Sequence, residues 1–254
     1  MGWLERLFRK EPGGGEQPRR DELATAMSEA AAAVERGDHA AALAIWGPLA
    51  HAGIGRAQNN IGACFAEGLG VERDTALALR WLRLAAESGD PVGQRNLATL
   101  HFKGDGVEQS DAEALRLYRL AAEQGDAPAQ DMLSWMLLEG GRTTDRAEAL
   151  RWAQAAAEAG VGTSMTRLGM MHHDALGVER DAALAAQWWQ RGMAAGDPDS
   201  EAMLGAATLL GQGVPQDAGR ALALLLAAES KGSLLAAPFI KAARAAASPA
   251  EAGP

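Results

Sequence analysis

The sequence predicts an all-α fold, an α/α superhelical solenoid of tandem helix pairs, and three observations predict it. Six glycines, Gly53, Gly89, Gly125, Gly160, Gly196 and Gly232, stand 36, 36, 35, 36 and 36 residues apart. Between them apolar residues recur at three- and four-residue steps, the period of a helix face. Helix starts and stops are written at matching places in every interval, so local and long-range signals agree.

Residues 1–20 stand apart from the repeat. Trp3, Leu4, Leu7 and Phe8 fall on one side of a short helix with Arg6, Arg9 and Lys10 elsewhere, and Glu11 to Pro18 reads as a Gly/Pro linker. Three roles fit this segment: an interfacial membrane anchor, a docking peptide for a partner or for the chain's own groove, and a disordered start. A ten-residue helix is marginal alone and weak as an anchor without a second signal. Gly2 lacks the Ser/Thr four residues on that N-myristoylation prefers.

The first full unit, 54–89, carries Ala57, Gln58, Ile61, Gly62 and Phe65 on one face of its first helix. Gly68-Leu69-Gly70-Val71 then supplies glycine where the backbone leaves helical space. Asp74 caps a second helix bearing Leu77, Trp81, Leu84 and Ala85. The unit at 90–125 repeats the plan with Gln94, Leu97, Ala98, His101, Gly104-Asp105-Gly106-Val107 and Tyr118, and Ser110-Asp111-Ala112-Glu113 has the spacing of a capping box. The unit at 126–160 has Gln130, Leu133, Ser134, Leu137 and Trp152; its missing residue falls in the loop, where the Gly-x-Gly-Val pattern breaks at Arg142 and Thr143. The unit at 161–196 has Leu168, Gly169, His172, Gly177-Val178, Asp181 and Trp188-Trp189. The unit at 197–232 has Leu204, Gly205, Gly211-Gln212-Gly213-Val214 and Asp217, with Leu224 in place of the tryptophan. Asp90-Pro91 and Asp197-Pro198 each set a capping carboxylate before a proline at the first helical position.

The pattern A-x-x-L-G-x-x-(aromatic)-x-x-G-x-G-V-x-x-D, followed by an A-x-x-W helix that ends in glycine, resembles the Sel-1-like repeat family, a relative of tetratricopeptide repeats. The resemblance runs from about Gly37 to Gly232 and recurs in five copies. Gly37-Asp38-His39 through Trp46-Gly47-Pro48-Leu49-Ala50 is similar to the helix that precedes the first full unit in such proteins; with Asp21 to Arg36 it gives an N-terminal helix pair over 21–53. Leu234 to Ala247, within 233–254, is similar to a final capping helix that Pro238 kinks or delays.

Composition narrows the function classes. A net charge of −9 argues against broad nucleic-acid binding, which needs a basic stripe. Cys64 is the only cysteine, so no intramolecular disulfide framework forms. Charges stand after Met1 where the apolar stretch of a signal peptide belongs, and no apolar run is long enough to span a bilayer, so the expected address is cytoplasmic.

In arrays of this kind the first helix of each unit lines the concave surface, so the resemblance implies a groove made by Asn59, Ala63 and Ala66; Arg95, Thr99 and Phe102; Asp131, Trp135 and Leu138; Thr166, Met170 and His173; and Ala202, Ala206 and Leu209. Phe102, Trp135, Leu138 and Met170 make its middle apolar, and such patches mark interaction sites. The alternative is tight curvature, with these side chains packing on neighbouring helices. The expectation is a non-catalytic adaptor or scaffold that binds an unidentified protein or peptide segment in the groove, without a cofactor. A peripheral membrane organiser using residues 1–10 and an enzyme using His172 or His173 are the alternatives. Adjacent histidines on a helix point about 100° apart and do not converge on a metal ion. No Gly-x-Gly loop continues into G-K-[ST], and no serine- or cysteine-centred catalytic arrangement is indicated.

Overall fold

The structure, a computed structural model, describes residues 18–140 and 145–248. Among them are thirteen α-helices and no strand: α1 (Arg20–Glu35), α2 (His39–His51), α3 (Gly55–Glu67), α4 (Thr75–Glu87), α5 (Pro91–Lys103), α6 (Asp111–Glu123), α7 (Ala127–Glu139), α8 (Arg146–Glu158), α9 (Gly162–Asp174), α10 (Ala182–Ala194), α11 (Pro198–Leu210), α12 (Ala218–Ser230) and α13 (Ala237–Ala247). The fold is the all-α, α/α solenoid of tandem helix pairs that the glycine spacing predicts. The segment with Trp3, Leu4, Leu7 and Phe8 lies outside the described residues.

The local chemistry of each pair follows its sequence. After α3, α5 and α11 the chain enters left-handed backbone at Gly68, Gly104 and Gly211, while after α9 the same conformation falls on Ala175 with φ of 57°. Each turn is closed by a backbone bond from the capping residue to the helix before it: Asp74 to Phe65, Ser110 to His101, Asp181 to His172 and Asp217 to Thr208. The side chains of those four capping residues accept the N–H three residues on, which satisfies one orphan donor of α4, α6, α10 and α12. At α6 the expected capping box is only half made. Glu113 turns to Arg116, at 2.6 Å, because a guanidinium is a stronger donor than the Ser110 amide, and that contact holds the Glu113 carboxyl below its usual range. Pro238 sits in the first turn of α13 and delays its start to Ala237.

The chain divides after Ala129 into two compact units. In the first, helices α1 to α6 pack in order and α3 also touches α5. Leu43, Trp46, Ile61, Phe65, Leu77 and Trp81 fill its first core, and α6 adds Leu117 and Tyr118. In the second, helices α8 to α13 pack in order and α9 touches α11, while the Ser134 hydroxyl of α7 donates to the Ala149 carbonyl of α8 at 2.9 Å. Met165, Leu168 and Met171 pack with Ala153 and Ala157, Trp189 with Leu204 and Ala207, and Leu209 with Leu225 and Ile240. Burial of these faces supplies the main stabilisation.

Candidate functional site

In the first unit the residues read as groove-lining are engaged with the repeat itself. Asn59 is 4% exposed, and its side-chain carbonyl accepts from Asn96 at 2.8 Å. The Arg95 guanidinium reaches both oxygens of Asp126, at 2.8 and 3.0 Å, and so ties α5 to the turn before α7. The Thr99 hydroxyl donates to the Arg95 carbonyl and lies 2.9 Å from the hydroxyl of Tyr118, whose phenol is pushed up by burial. Phe102 is half-buried at the end of α5, and Ala63 and Ala66 are partly covered on α3. The Asn59 and Arg95 contacts join one helix pair to the next, and the Thr99–Tyr118 contact joins the two helices of one pair.

The second unit has a different surface. Trp135, Leu138 and Glu139 from α7, Arg146 from α8, and Thr163, Thr166, Arg167, Met170 and Met171 from α9 line a cavity of about 400 Å³. Leu176, Asp197, Asp199 and Leu235 complete its wall from the turns and helix starts. Its apolar part is open to solvent, with Met170 37% and Leu235 39% exposed, and the adjoining Leu234 86% exposed. The size lies within the range of about 300–1,000 Å³ typical of ligand pockets.

Polar contacts fix the walls. Asp131 accepts from Arg167 at 2.5 Å and from the hydroxyls of Thr163 and Ser164, which locks α7 to α9. Thr166 is only 7% exposed and donates to Asp197, whose carboxylate also accepts the Ser200 amide and so caps α11. Asp199 accepts from the Ser233 hydroxyl at 2.6 Å. His173 lies outside the cavity lining, between Asp174 at 2.6 Å and Gln212 at 2.9 Å. Ala202, Ala206 and Leu209 are buried in α11.

Of the residues named from the sequence, Trp135, Leu138, Thr166 and Met170 therefore share one cavity, and Asp131 braces it. Asn59, Arg95, Thr99 and Phe102 belong to the first unit. Sequence reasoning missed Glu139, Thr163, Arg167 and Met171, because only three positions of each first helix were read as lining. It also missed Arg146, Leu176, Asp197, Asp199 and Leu235, which come from a second helix, turns and helix starts. The available signal was Leu234-Leu235, an apolar pair directly after a turn glycine and serine where polar residues are the norm. Among the described residues, no group of three His, Cys, Asp or Glu side chains is placed to hold a metal ion. Also among them, no helix is long and apolar enough to cross a membrane.

The sequence matches the model of the Sel1 repeat five times, over residues 55–90, 91–126, 127–161, 162–197 and 198–233. The fold is similar to the crystal structure of a Sel1 repeat protein from Oxalobacter formigenes, with 29% identity, a TM-score of 0.76, and coverage of 84% of this chain and 88% of that one. It is also similar to c5321, a protective antigen present in uropathogenic Escherichia coli strains that displays an SLR fold, with 30% identity and a TM-score of 0.74. That match covers 94% of this chain and 51% of the antigen, so the chain spans about half its length. No curated protein matches the chain in sequence.

Proposed function

The chain belongs to the Sel1 repeat family, whose helical repeats commonly mediate contacts between proteins, and on that premise we propose that it is a non-catalytic adaptor holding a protein segment in the cavity of its second unit. The observation that carries this reading is the solvent-open apolar wall of Trp135, Leu138, Met170 and Leu235, framed by charged side chains. Buried apolar anchors inside a polar rim are the usual anatomy of a protein-binding patch. Repeat proteins use such surfaces as scaffolds, and the residues around this cavity are hydrogen-bonded among themselves as braces. A cytoplasmic address is part of the same proposal.

The test is capture from native lysate by the wild-type chain and by a Trp135→Ala/Met170→Ala chain shown by circular dichroism to be folded. A partner recovered with the first and reduced about tenfold or more with the second is the expected result. The same partners at the same level with both chains would move the site away from the cavity.

A further inference from the structure

The apolar wall of the cavity contains a side chain whose polarity an oxidant can change. Eight of the chain's nine methionines lie among the described residues, and Met170 is the most exposed of them at 37%. Its neighbour on α9, Met171, is fully buried, and Met136 and Met165 are buried as well. Thioether oxidation follows the access of oxidant to sulfur, so one position on this helix is open to it and the next is closed. The open one stands in the cavity beside Trp135, Leu138 and Leu235.

The reaction with a hydroperoxide is a two-electron transfer. A lone pair of the Met170 sulfur attacks the terminal peroxide oxygen, and the S–O bond forms as the O–O bond breaks. The proton of the attacked oxygen passes to the leaving one, which departs as water or an alcohol. The thioether is thereby oxidised to a sulfoxide and the peroxide reduced. The core of α9 does not take part, because Met165, Leu168 and Met171 make its buried contacts. What changes is the wall. A thioether is soft and adapts to an apolar partner, whereas a sulfoxide is a polar acceptor that needs a donor. Water supplies that donor while the cavity is open, and an apolar occupant takes the water away, so the cost falls on occupation rather than on folding. We propose that Met170 is a reversible oxidation site at which hydroperoxides turn the cavity of the second unit from binding to non-binding. The proposal rests on the adaptor reading and adds a control to it.

The experiment treats the full chain with hydrogen peroxide and follows each methionine by peptide mass spectrometry. Met170 oxidises at least about tenfold faster than Met171, with circular dichroism unchanged. Nile red, a neutral apolar dye, probes the wall. The reduced chain binds it, and oxidation weakens that binding about tenfold, the cost of burying one polar group. Two methionine sulfoxide reductases, one for each epimer, restore it. A Met170→Leu chain keeps its dye binding through the same treatment, which separates oxidation at this position from damage elsewhere. Equal oxidation rates for Met170 and Met171, no dye binding by the reduced chain, or dye binding indifferent to Met170 oxidation would each overturn the proposal. So would an equal loss of dye binding in the Met170→Leu chain. Partner capture that depends on Trp135 and Met170 yet survives Met170 oxidation would sink this proposal alone. Dye binding that follows the oxidation state of Met170 without any partner capture would sink the adaptor reading instead.

Discussion

Ala175 holds a backbone position that its counterparts give to glycine. Its φ of 57° matches Gly68 at 74°, Gly104 at 70° and Gly211 at 67°, and an L side chain in that region costs about 1–2 kcal/mol. Part of that cost is offset because alanine has less freedom to lose on folding than glycine. Ala175→Gly is therefore expected to stabilise the chain by about 0.5–1 kcal/mol and raise the melting temperature by about 2 °C. A melting temperature that falls would show the turn to be set by something other than backbone strain. Cys64 makes a second prediction at this scale. Burial pushes its thiol up to about 11, above its unfolded value, so the neutral form is the one the fold favours. Its contribution to stability is present below the unfolded value and is lost as the pH rises through about 11. Native protein at neutral pH should resist iodoacetamide and react once unfolded; rapid native labelling would contradict the burial. Residue pairing was only partly legible. Gly62, Gly169 and Gly205 each lie beneath a bulky residue, Leu82, Trp189 and Leu225, and a Cβ on Gly169 would collide with the indole nitrogen of Trp189. The glycines and the aromatics were visible in the sequence. That Trp189 is buried while Trp188 is half-exposed beneath Arg191 was not, because neighbouring positions on a helix near the edge of the apolar face are separated only by the partner it meets.

Helices rather than residues were the most legible part of the fold. Caps at Asp74, Ser110, Asp181 and Asp217, and Asp-Pro starts at Asp90 and Asp197, depend on local chemistry and so can be read from short windows. What the windows do not show is that some caps also bridge units. Asp181 only caps α10, whereas Asp126 accepts the Ala129 amide at 2.9 Å and also holds Arg95 of the preceding pair. Asp181→Ala should cost about 1 kcal/mol, the usual value of a lost cap. Asp126→Ala should cost about 2–3 kcal/mol, because it also leaves a largely buried guanidinium without its partner. Urea denaturation of the two variants measures the difference, and equal losses would mean that the Arg95 contact contributes nothing. The cavity was legible to the same limited degree. Trp135, Leu138 and Met170 follow from helix periodicity, while Asp197, Asp199 and Leu235 reach the cavity from turns and helix starts whose placement only the packed structure determines.

At the scale of the whole chain, a repeat protein is stabilised by each pair and its neighbours, so an end that lacks a neighbour needs a cover. We propose α13 as that cover in the second unit. It packs on α12 and brings Ala236, Ile240 and Ala243 against Leu209, Ala221, Leu225 and Ala228, all buried. Its outer surface carries Lys241 and Arg244, which are exposed and present charge where another repeat would otherwise have to pack. Removing residues 236–248 would bare the Leu225 face and the apolar wall of α12 together. Losing the burial of Leu225 and Ile240 alone is worth about 3 kcal/mol or more, a fall in melting temperature of at least about 6 °C. The bared face should also associate, because a contiguous apolar surface of that kind seeks a partner. Light scattering of the shortened chain should therefore report a mass that grows with concentration, against a constant mass for the full chain. An unchanged melting temperature and mass would make α13 an appendage, and the core would then have to end at α12.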